Sequence, residues 1–421
     1  MIEIGNGNLN IERFTQVVRE GQVVRLEESA AQHVRESFDF LIDFAKDKII
    51  YGINTGFGPM AQYRVDDDKG RQLQLNLIRS HASGTGNPLS AEDVRAMMLC
   101  RLNTLMLGYS GVHDSVVQCL VTFLNNGLTP YVPEHGGVGA SGDLVQLAHL
   151  AYTMIGEGEV VHNNEIIPVS EWPDAAQLRF AEIQMREGLA IMNGTAAMTG
   201  IGLNNVLKAK KLIGWSALLS AVINEVMGSY DDHVSESLNQ SKKHVGQRAV
   251  AAAMREVFGT SSSVKQRHEA LYRGQSGSKV FKDKVQEYYS LRCVPQIVGP
   301  ILDSVTNTEK ILLEEVNSAN DNPIIDLEAK NVVHGGNFHG DYVSFEMDKL
   351  KIGVTKLTML AERQLNYLLN NKLNEKLPPF LNIGELGFNY GLQGRQFTAT
   401  STTAENQMLS NPMYVHSIPN N

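Results

Sequence analysis

The chain has 421 residues, 43% of them hydrophobic and 20% charged, which suits one large multi-helix body or two to three domains and excludes a small disulfide-stapled module. Its 37 basic and 46 acidic residues give a net charge of −9, and no basic run carries interleaved aromatics, which argues against a nucleic-acid partner. Cys100, Cys119 and Cys293 are too few and too scattered for a disulfide framework or a CxxC metal site, the pattern of a reducing, cytoplasmic compartment.

In chain order, MIEIGNGNLNIERF carries Glu3 and Glu12 without a basic start and apolar run, so no secretory signal is expected. Asp93 to Leu107 has the three-to-four apolar spacing of a helix, and an apolar helix is expected over Leu144 to Met154. Glu159 to Pro168 reads as a hairpin turning at Asn163-Asn164. Gly188 to Leu207 is uncharged and of membrane length, yet it holds Asn193, Thr195, Thr199, Asn204, Asn205 and four glycines. It reads as a buried helical segment near a site and not as a membrane span. Helical spacing returns in Ala209 to Tyr230 and in Leu291 to Val316. A second hairpin is expected over Ile324 to Val333, turning near Ala329-Lys330. The longest helix is expected over Lys349 to Glu375, stopped by Leu377-Pro378-Pro379. No repeat or linker divides the chain. A mainly α fold follows, with a loop-rich first part over residues 1–200 and a long-helix bundle over 201–421.

The densest anomaly is His135-Gly136-Gly137-Val138-Gly139-Ala140-Ser141-Gly142-Asp143, with four glycines in a seven-residue span. Such a loop serves close backbone approach. Gly137 to Gly142 spells GxGxxG, but the preceding segment holds Pro130 and Pro133 and the chain lacks strand-helix alternation, so a dinucleotide site is disfavoured. A GxSxG elbow at Ser141 would need glycine where Asp143 stands. The third reading uses the tripeptide itself. If the amide nitrogen of Gly142 closes on the carbonyl carbon of Ala140, loss of that water and of the Ser141 hydroxyl leaves a ring with an exocyclic methylidene. Glycine offers an unhindered nitrogen, serine a β-hydroxyl to expel, and alanine room for the ring. The product is an electrophile made with no external cofactor, metal or nucleotide.

The sequence around these residues resembles the aromatic amino acid ammonia-lyases and aminomutases, the methylidene-imidazolone enzymes. Beyond GGVGASGDLVQLAHL, the resemblance is carried in order by Tyr51 to Gly58 (YGINTGFG), Asn193-Gly194-Thr195, Tyr289-Ser290-Leu291-Arg292, Asn320-Asp321-Asn322-Pro323 and Gly336 to Gly340 (GNFHG). It covers essentially the whole chain and is closest in wording to the bacterial tyrosine ammonia-lyases. It implies a long-helix bundle of the fumarase/aspartase-like type with a loop-rich N-terminal part that bears the cofactor. It also implies a 4-methylidene-imidazol-5-one formed autocatalytically from Ala140, Ser141 and Gly142, and a homotetramer with sites shared between subunits.

The resemblance assigns Tyr51, on a glycine-rich loop, the role of catalytic base. A phenol titrates near about 10, so nearby dipoles must shift it to serve. Tyr289 joins it in the catalytic set. Arg292 lies one helical turn after Tyr289, on the same face, and by resemblance forks onto the substrate carboxylate. Asn193 sits in the uncharged run, where a free amide is costly, so it needs a fixed partner; the resemblance supplies the ring or the substrate amine. Gln286, Gly58 and Leu144 fall in the same substrate-binding set, and Phe338 resembles the aromatic beside the ring. His334 and His339 lack HExxH spacing, so no metal is expected. Ser80-His81 resembles the pair that selects the substrate ring. His81 argues against phenylalanine and leaves tyrosine and histidine open, with the wider resemblance favouring L-tyrosine to p-coumarate. Histidine ammonia-lyase, tyrosine 2,3-aminomutase and a catalytically dead helical scaffold are the alternatives. The chain stops at Ser417-Ile418-Pro419-Asn420-Asn421 where the resembled family continues, so a truncated bundle with an exposed apolar face is expected.

Overall fold

The computed structural model describes residues 1–272, 277–281 and 283–416; Ser417 to Asn421, on which the expectation of truncation rests, lie outside them. The fold is mainly α, as the periodicity predicts. Among the described residues there are sixteen α-helices and eight short strands, the strands joined only in pairs.

Local chemistry explains most boundaries. The helix after the glycine loop occupies Leu144–Met154, as expected. In the first hairpin His162 faces Glu165 across a two-residue turn, and Asn163 and Asn164 take φ of 52° and 65°, the left-handed pair that suits a right-twisted ribbon. In the second, Ile324 pairs with Val333 and Asp326 with Asn331. The strand before the glycine loop, Pro133–His135, pairs antiparallel with Thr85–Pro88, a pairing foreign to a dinucleotide βαβ unit.

Expected bounds shift in several helices: Asp93 to Leu107 becomes Ala91–Leu105, Leu291 to Val316 becomes the turn Tyr289–Arg292 and the helix Val294–Val316, and two others differ further. The Ala196–Met227 helix begins well before Ala209. Its first turns bury Ala196, Ala197, Thr199, Leu203 and Asn204, so small and polar residues face the interior there and blur the apolar period. The long late helix spans Asp341–Leu369, followed by a separate turn Asn371–Asn374. It ends early because the Asn374 amide Nδ2 donates to the carbonyls of Tyr367, Leu368 and Asn370 at 2.9, 3.2 and 2.9 Å. Those are the acceptors that a continuing helix would use.

The chain divides into two compact units. The first comprises Met1–Asn205 and Glu309–Phe345, with Phe14, Met97, Leu99, Leu102, Phe123, Leu147 and Ile191 in its core. The second comprises Val206–Thr308 and Glu346–His416, built on Val250, Met254, Leu291, Val294, Val298 and Leu360. Within it, Leu212, Trp215, Leu219, Val222 and Val226 are 39–52% exposed. Their three-to-four spacing aligns them on one helix face.

The second unit also buries His233, 7% exposed, with its Nε2 unpartnered and the Phe258 ring 5.9 Å away. Burial pushes its imidazole down to about 4 from an ordinary 6.5. Between those values the unfolded chain binds a proton that the folded chain refuses, so stability falls as pH drops from 6.5 to 4. Urea midpoints of wild type and His233→Phe should therefore diverge over this window, wild type losing ground on acidification. Parallel profiles would refute the assignment.

Candidate active site

The Ala140-Ser141-Gly142 tripeptide is pressed between two backbone segments. Gly142 has φ +67°, and a Cβ there would lie 2.1 Å from the Gly194 carbonyl oxygen and 2.9 Å from that of Phe338. Only glycine fits. The Gly142 N–H donates to the Gly139 carbonyl at 3.3 Å, and the Asp143 N–H donates to the Gly194 carbonyl at 2.8 Å. On the outer side, Gly340 N–H donates to the same Gly139 carbonyl at 3.1 Å, and His339 Nδ1 approaches it at 3.4 Å.

Asp143 locks the downstream end. Its Oδ2 accepts the backbone N–H groups of Ala197 and Met198 at 2.8 and 2.9 Å, the first turn of the Ala196–Met227 helix, where a negative charge meets the positive end of the helix dipole. Burial nevertheless outweighs these bonds and pushes its carboxyl up to about 7.

Asn193 follows the Glu187–Met192 helix, is 5% exposed, and aims its Nδ2 at the Ser141 carbonyl, 3.4 Å away. The fixed partner that its burial demands is thus the tripeptide backbone. Phe338 meets Gly142 through its carbonyl, and Leu144, half-buried, opens the helix after the loop.

Tyr51 stands at the root of a closed loop. Asn54 Oδ1 accepts the Ile50 N–H at 2.9 Å, Thr55 Oγ1 accepts the Gly52 N–H at 3.1 Å, and Gln74 Nε2 donates to the Gly52 carbonyl at 2.8 Å. Gln74 Oε1 in turn accepts the Leu189 N–H at 2.8 Å, so one buried amide joins the root of the Tyr51 loop to the helix that delivers Asn193. The loop is tied again where Val65 N–H donates to the Asn54 carbonyl at 3.0 Å and Gly56 N–H to the Tyr63 carbonyl at 2.9 Å. Gly58, at the tip, donates its N–H to the Tyr51 phenol oxygen at 3.2 Å. Phe57 packs edge-on against the phenol ring at 6.2 Å, and the Tyr51 N–H donates to His334 Nε2 at 3.4 Å.

His81 closes the Gly70–His81 helix that carries Gln74. Its Nδ1 lies 3.0 Å from the Leu77 carbonyl and 3.0 Å from Ser80 Oγ. A carbonyl can only accept, so Nδ1 carries the hydrogen in the neutral ring and Nε2 is left as an acceptor.

Gln286, Tyr289 and Arg292 belong to the second unit. Tyr289–Arg292 is a single helical turn with the guanidinium 4.7 Å from the Tyr289 ring, as their spacing predicts. Gln286 and Arg292 line a cavity of about 280 Å³ with Asp232, His233, Arg267 and Gln296. Arg292 Nε and Gln296 Oε1 have no partner there.

In the first unit the structure therefore joins Ser141, Gly142, Asn193 and Phe338 by direct contact and Tyr51 to Gly58. Sequence reasoning gave no role to Asp143, Gln74 or Arg101. Arg101 had a legible signal, a lone charge in the apolar run Met97-Met98-Leu99-Cys100-Arg101-Leu102. Gln74 had none. The residues present fit ring formation, since the Gly194 and Phe338 carbonyls leave no room for a side chain at Gly142 and confine the backbone that would close.

Residues 9–421 match the family described as aromatic amino acid lyase. Histidine ammonia-lyase of Stigmatella aurantiaca is 39% identical over 421 residues, covering 99% of this chain and 79% of that protein. Tyrosine 2,3-aminomutase of Chondromyces crocatus is 37% identical over 427 residues, covering 100% and 80%. The crystal structure of tyrosine aminomutase from Streptomyces globisporus matches with a TM-score of 0.95 at 34% identity, covering 100% of this chain and 80% of that one.

Proposed function

The chain belongs to the aromatic amino acid lyase family, and from that premise we propose that it converts L-tyrosine to p-coumarate and ammonia with a methylidene-imidazolone made from Ala140, Ser141 and Gly142. The observation that carries this reading is the Gly194 carbonyl seated over Gly142, with no room for a Cβ. In ring closure the Gly142 nitrogen bonds to the Ala140 carbonyl carbon. That oxygen leaves as water with the amide hydrogens of Gly142 and Ser141, and the Ser141 hydroxyl leaves as a second water with its α-hydrogen. The finished group supplies an electrophilic carbon and an electron sink that no ordinary side chain offers.

The chain's own side chains do the rest. Tyr51 Oη, acting as the phenolate, takes the β-hydrogen and becomes the neutral phenol; the Gly58 N–H donates to that oxygen and favours its anionic form. Asn193 holds the substrate amine beside the Ser141 carbonyl, and Phe338 and Leu144 wall the ring. Arg292 forks onto the carboxylate, with Gln286 and Tyr289 in the same polar shell. His81 Nε2, left as an acceptor, takes the hydrogen of a para-hydroxyl. An imidazole N–H could occupy the same acceptor, and the Ser80-His81 pair therefore supports histidine to urocanate as the second reading; tyrosine 2,3-aminomutase is the third.

Intact mass tests the cofactor: the protein should be two waters lighter than its sequence. Assays with tyrosine and histidine side by side test the substrate, and faster turnover of histidine would overturn the choice of tyrosine while leaving the lyase chemistry standing. Replacing His81 by Phe leaves a para-hydroxyl unpaired and lifts the penalty on a plain ring. His81→Phe should lower kcat/KM for tyrosine and raise it for phenylalanine, each by about 1 to 3 kcal/mol in transition-state terms. Unchanged ratios would remove His81 from ring selection.

The exposed stripe from Leu212 to Val226 supports the homotetramer, because apolar faces of this kind on soluble proteins are commonly covered by another chain. Light scattering at the monomer mass would defeat it. The three free thiols support a cytoplasmic setting, and no described helix is long and apolar enough to cross a membrane.

A further inference from the structure

Arg101 lies midway along the Ala91–Leu105 helix, fully buried among Met97, Met98, Leu99 and Leu102. A guanidinium in such a place is costly unless it is engaged, and burial, with the charge of Arg186 adding to it and those of Asp321 and Asp143 opposing, pushes it down to about 10. Asp321, with which Arg101 makes a 4.0 Å ion pair, is already committed to Arg186 through two bonds of 2.9 and 3.0 Å, and Asp143 acts on Arg101 from farther off. Arg101 directs its two Nη groups at uncharged oxygens instead, while its Nε has no hydrogen-bond partner. Nη2 donates to the Asn193 carbonyl at 2.9 Å and to the Ala190 carbonyl, and Nη1 donates to Asn320 Oδ1 at 3.1 Å. These are the last carbonyls of the Glu187–Met192 helix and the turn after it, where a cation is favoured.

Gly194 is the next residue. A Cβ on it would lie 2.3 Å from Arg101 Nη1 and 2.7 Å from both the carbonyl and Oδ1 of Asn320. On its other side the Gly194 carbonyl oxygen is the atom that confines Gly142 and accepts the Asp143 N–H. The contacts run in one line, from Arg101 and Asn320 through Gly194 to Gly142.

We propose that Arg101, braced by Asn320, is a positioning residue for ring closure: it fixes the Asn193–Thr195 turn against Gly142 and so holds the Gly142 nitrogen where it can close on the Ala140 carbonyl. This rests on the imidazolone reading above. A guanidinium suits the task because its planar fork reaches three acceptors at fixed angles, which a lysine ammonium cannot do.

The test follows intact mass over time in freshly made protein, beside circular dichroism of the same samples, for wild type, Arg101→Lys and Asn320→Ala. Wild type should become two waters lighter. Both variants should keep the wild-type helical signal yet stay at the unmodified mass, or lose water on the order of 10²-fold more slowly, the scale set by misplacing reacting groups by about 1 Å. Helical variants that dehydrate as fast as wild type would overturn the proposal. If Arg101→Lys fails to fold, Asn320→Ala, which removes the acceptor for Arg101 and a 3.4 Å bond to the Glu315 carbonyl but no charge, decides alone; loss of helix in both would assign the pair to stability and overturn it too. A wild type at unmodified mass is a separate outcome, which sinks the imidazolone reading and this proposal with it.

Discussion

Ser141→Ala should give a soluble protein with wild-type helix content, a mass equal to its sequence, and turnover reduced by roughly 10³-fold or more, the scale on which losing an essential covalent group is felt. The loop does not depend on the hydroxyl for its shape. Its hydrogen bonds run through the backbone of Gly139, Ser141, Gly142 and Asp143 and through the Asp143 carboxylate, all of which the substitution leaves in place. Alanine has no hydroxyl to expel, so the methylidene cannot form. Near-native turnover would refute Ser141 as the source of the electrophile.

Tyr51→Phe should separate the second function from the first. The ring should form as in wild type, giving the mass two waters below the sequence, while kcat falls roughly 10² to 10³-fold, the range for losing a positioned acid-base group. The phenol oxygen accepts one backbone N–H, from Gly58, so the stability cost is limited to about 1 kcal/mol, the net worth of an ordinary hydrogen bond. Phe57 retains an aromatic partner. An unaffected rate would move the base to Tyr289. Together the two variants give distinct signatures, one changing mass and rate and the other rate alone.

Much of the helical frame was legible because apolar spacing is a local property. Leu144–Met154 and the Asn163-Asn164 turn appear where the sequence places them. The early end of the late helix was not, since it depends on one asparagine folding its amide back onto three carbonyls. At the candidate site, the tripeptide is conspicuous through its residue types, and Asn193 through a polar side chain in an uncharged run. Asp143 and Gln74 could not be read in the same way. Their partners, Ala197 and Met198 for one and Gly52 and Leu189 for the other, are distant in sequence, and a backbone N–H or carbonyl leaves no mark on the residue that owns it.

The ties around Tyr51 divide its loop into a fixed and a free side. The Gly52 carbonyl is pinned by Gln74, and the Asn54–Val65 and Gly56–Tyr63 bonds close the neck, so the 57–62 tip is the part that lies beyond these ties. Tyr51 stands on the fixed side and its Gly58 donor on the free side. On the reading that Tyr51 is the base, a loop hinged at these rungs would admit substrate by lifting the tip while Tyr51 keeps its main-chain address. Such a movement would detach the Gly58 N–H and free the phenol oxygen to take a new partner. Stiffening the tip would accordingly govern how fast substrate arrives and product departs, and leave the proton-transfer geometry where Gln74 sets it.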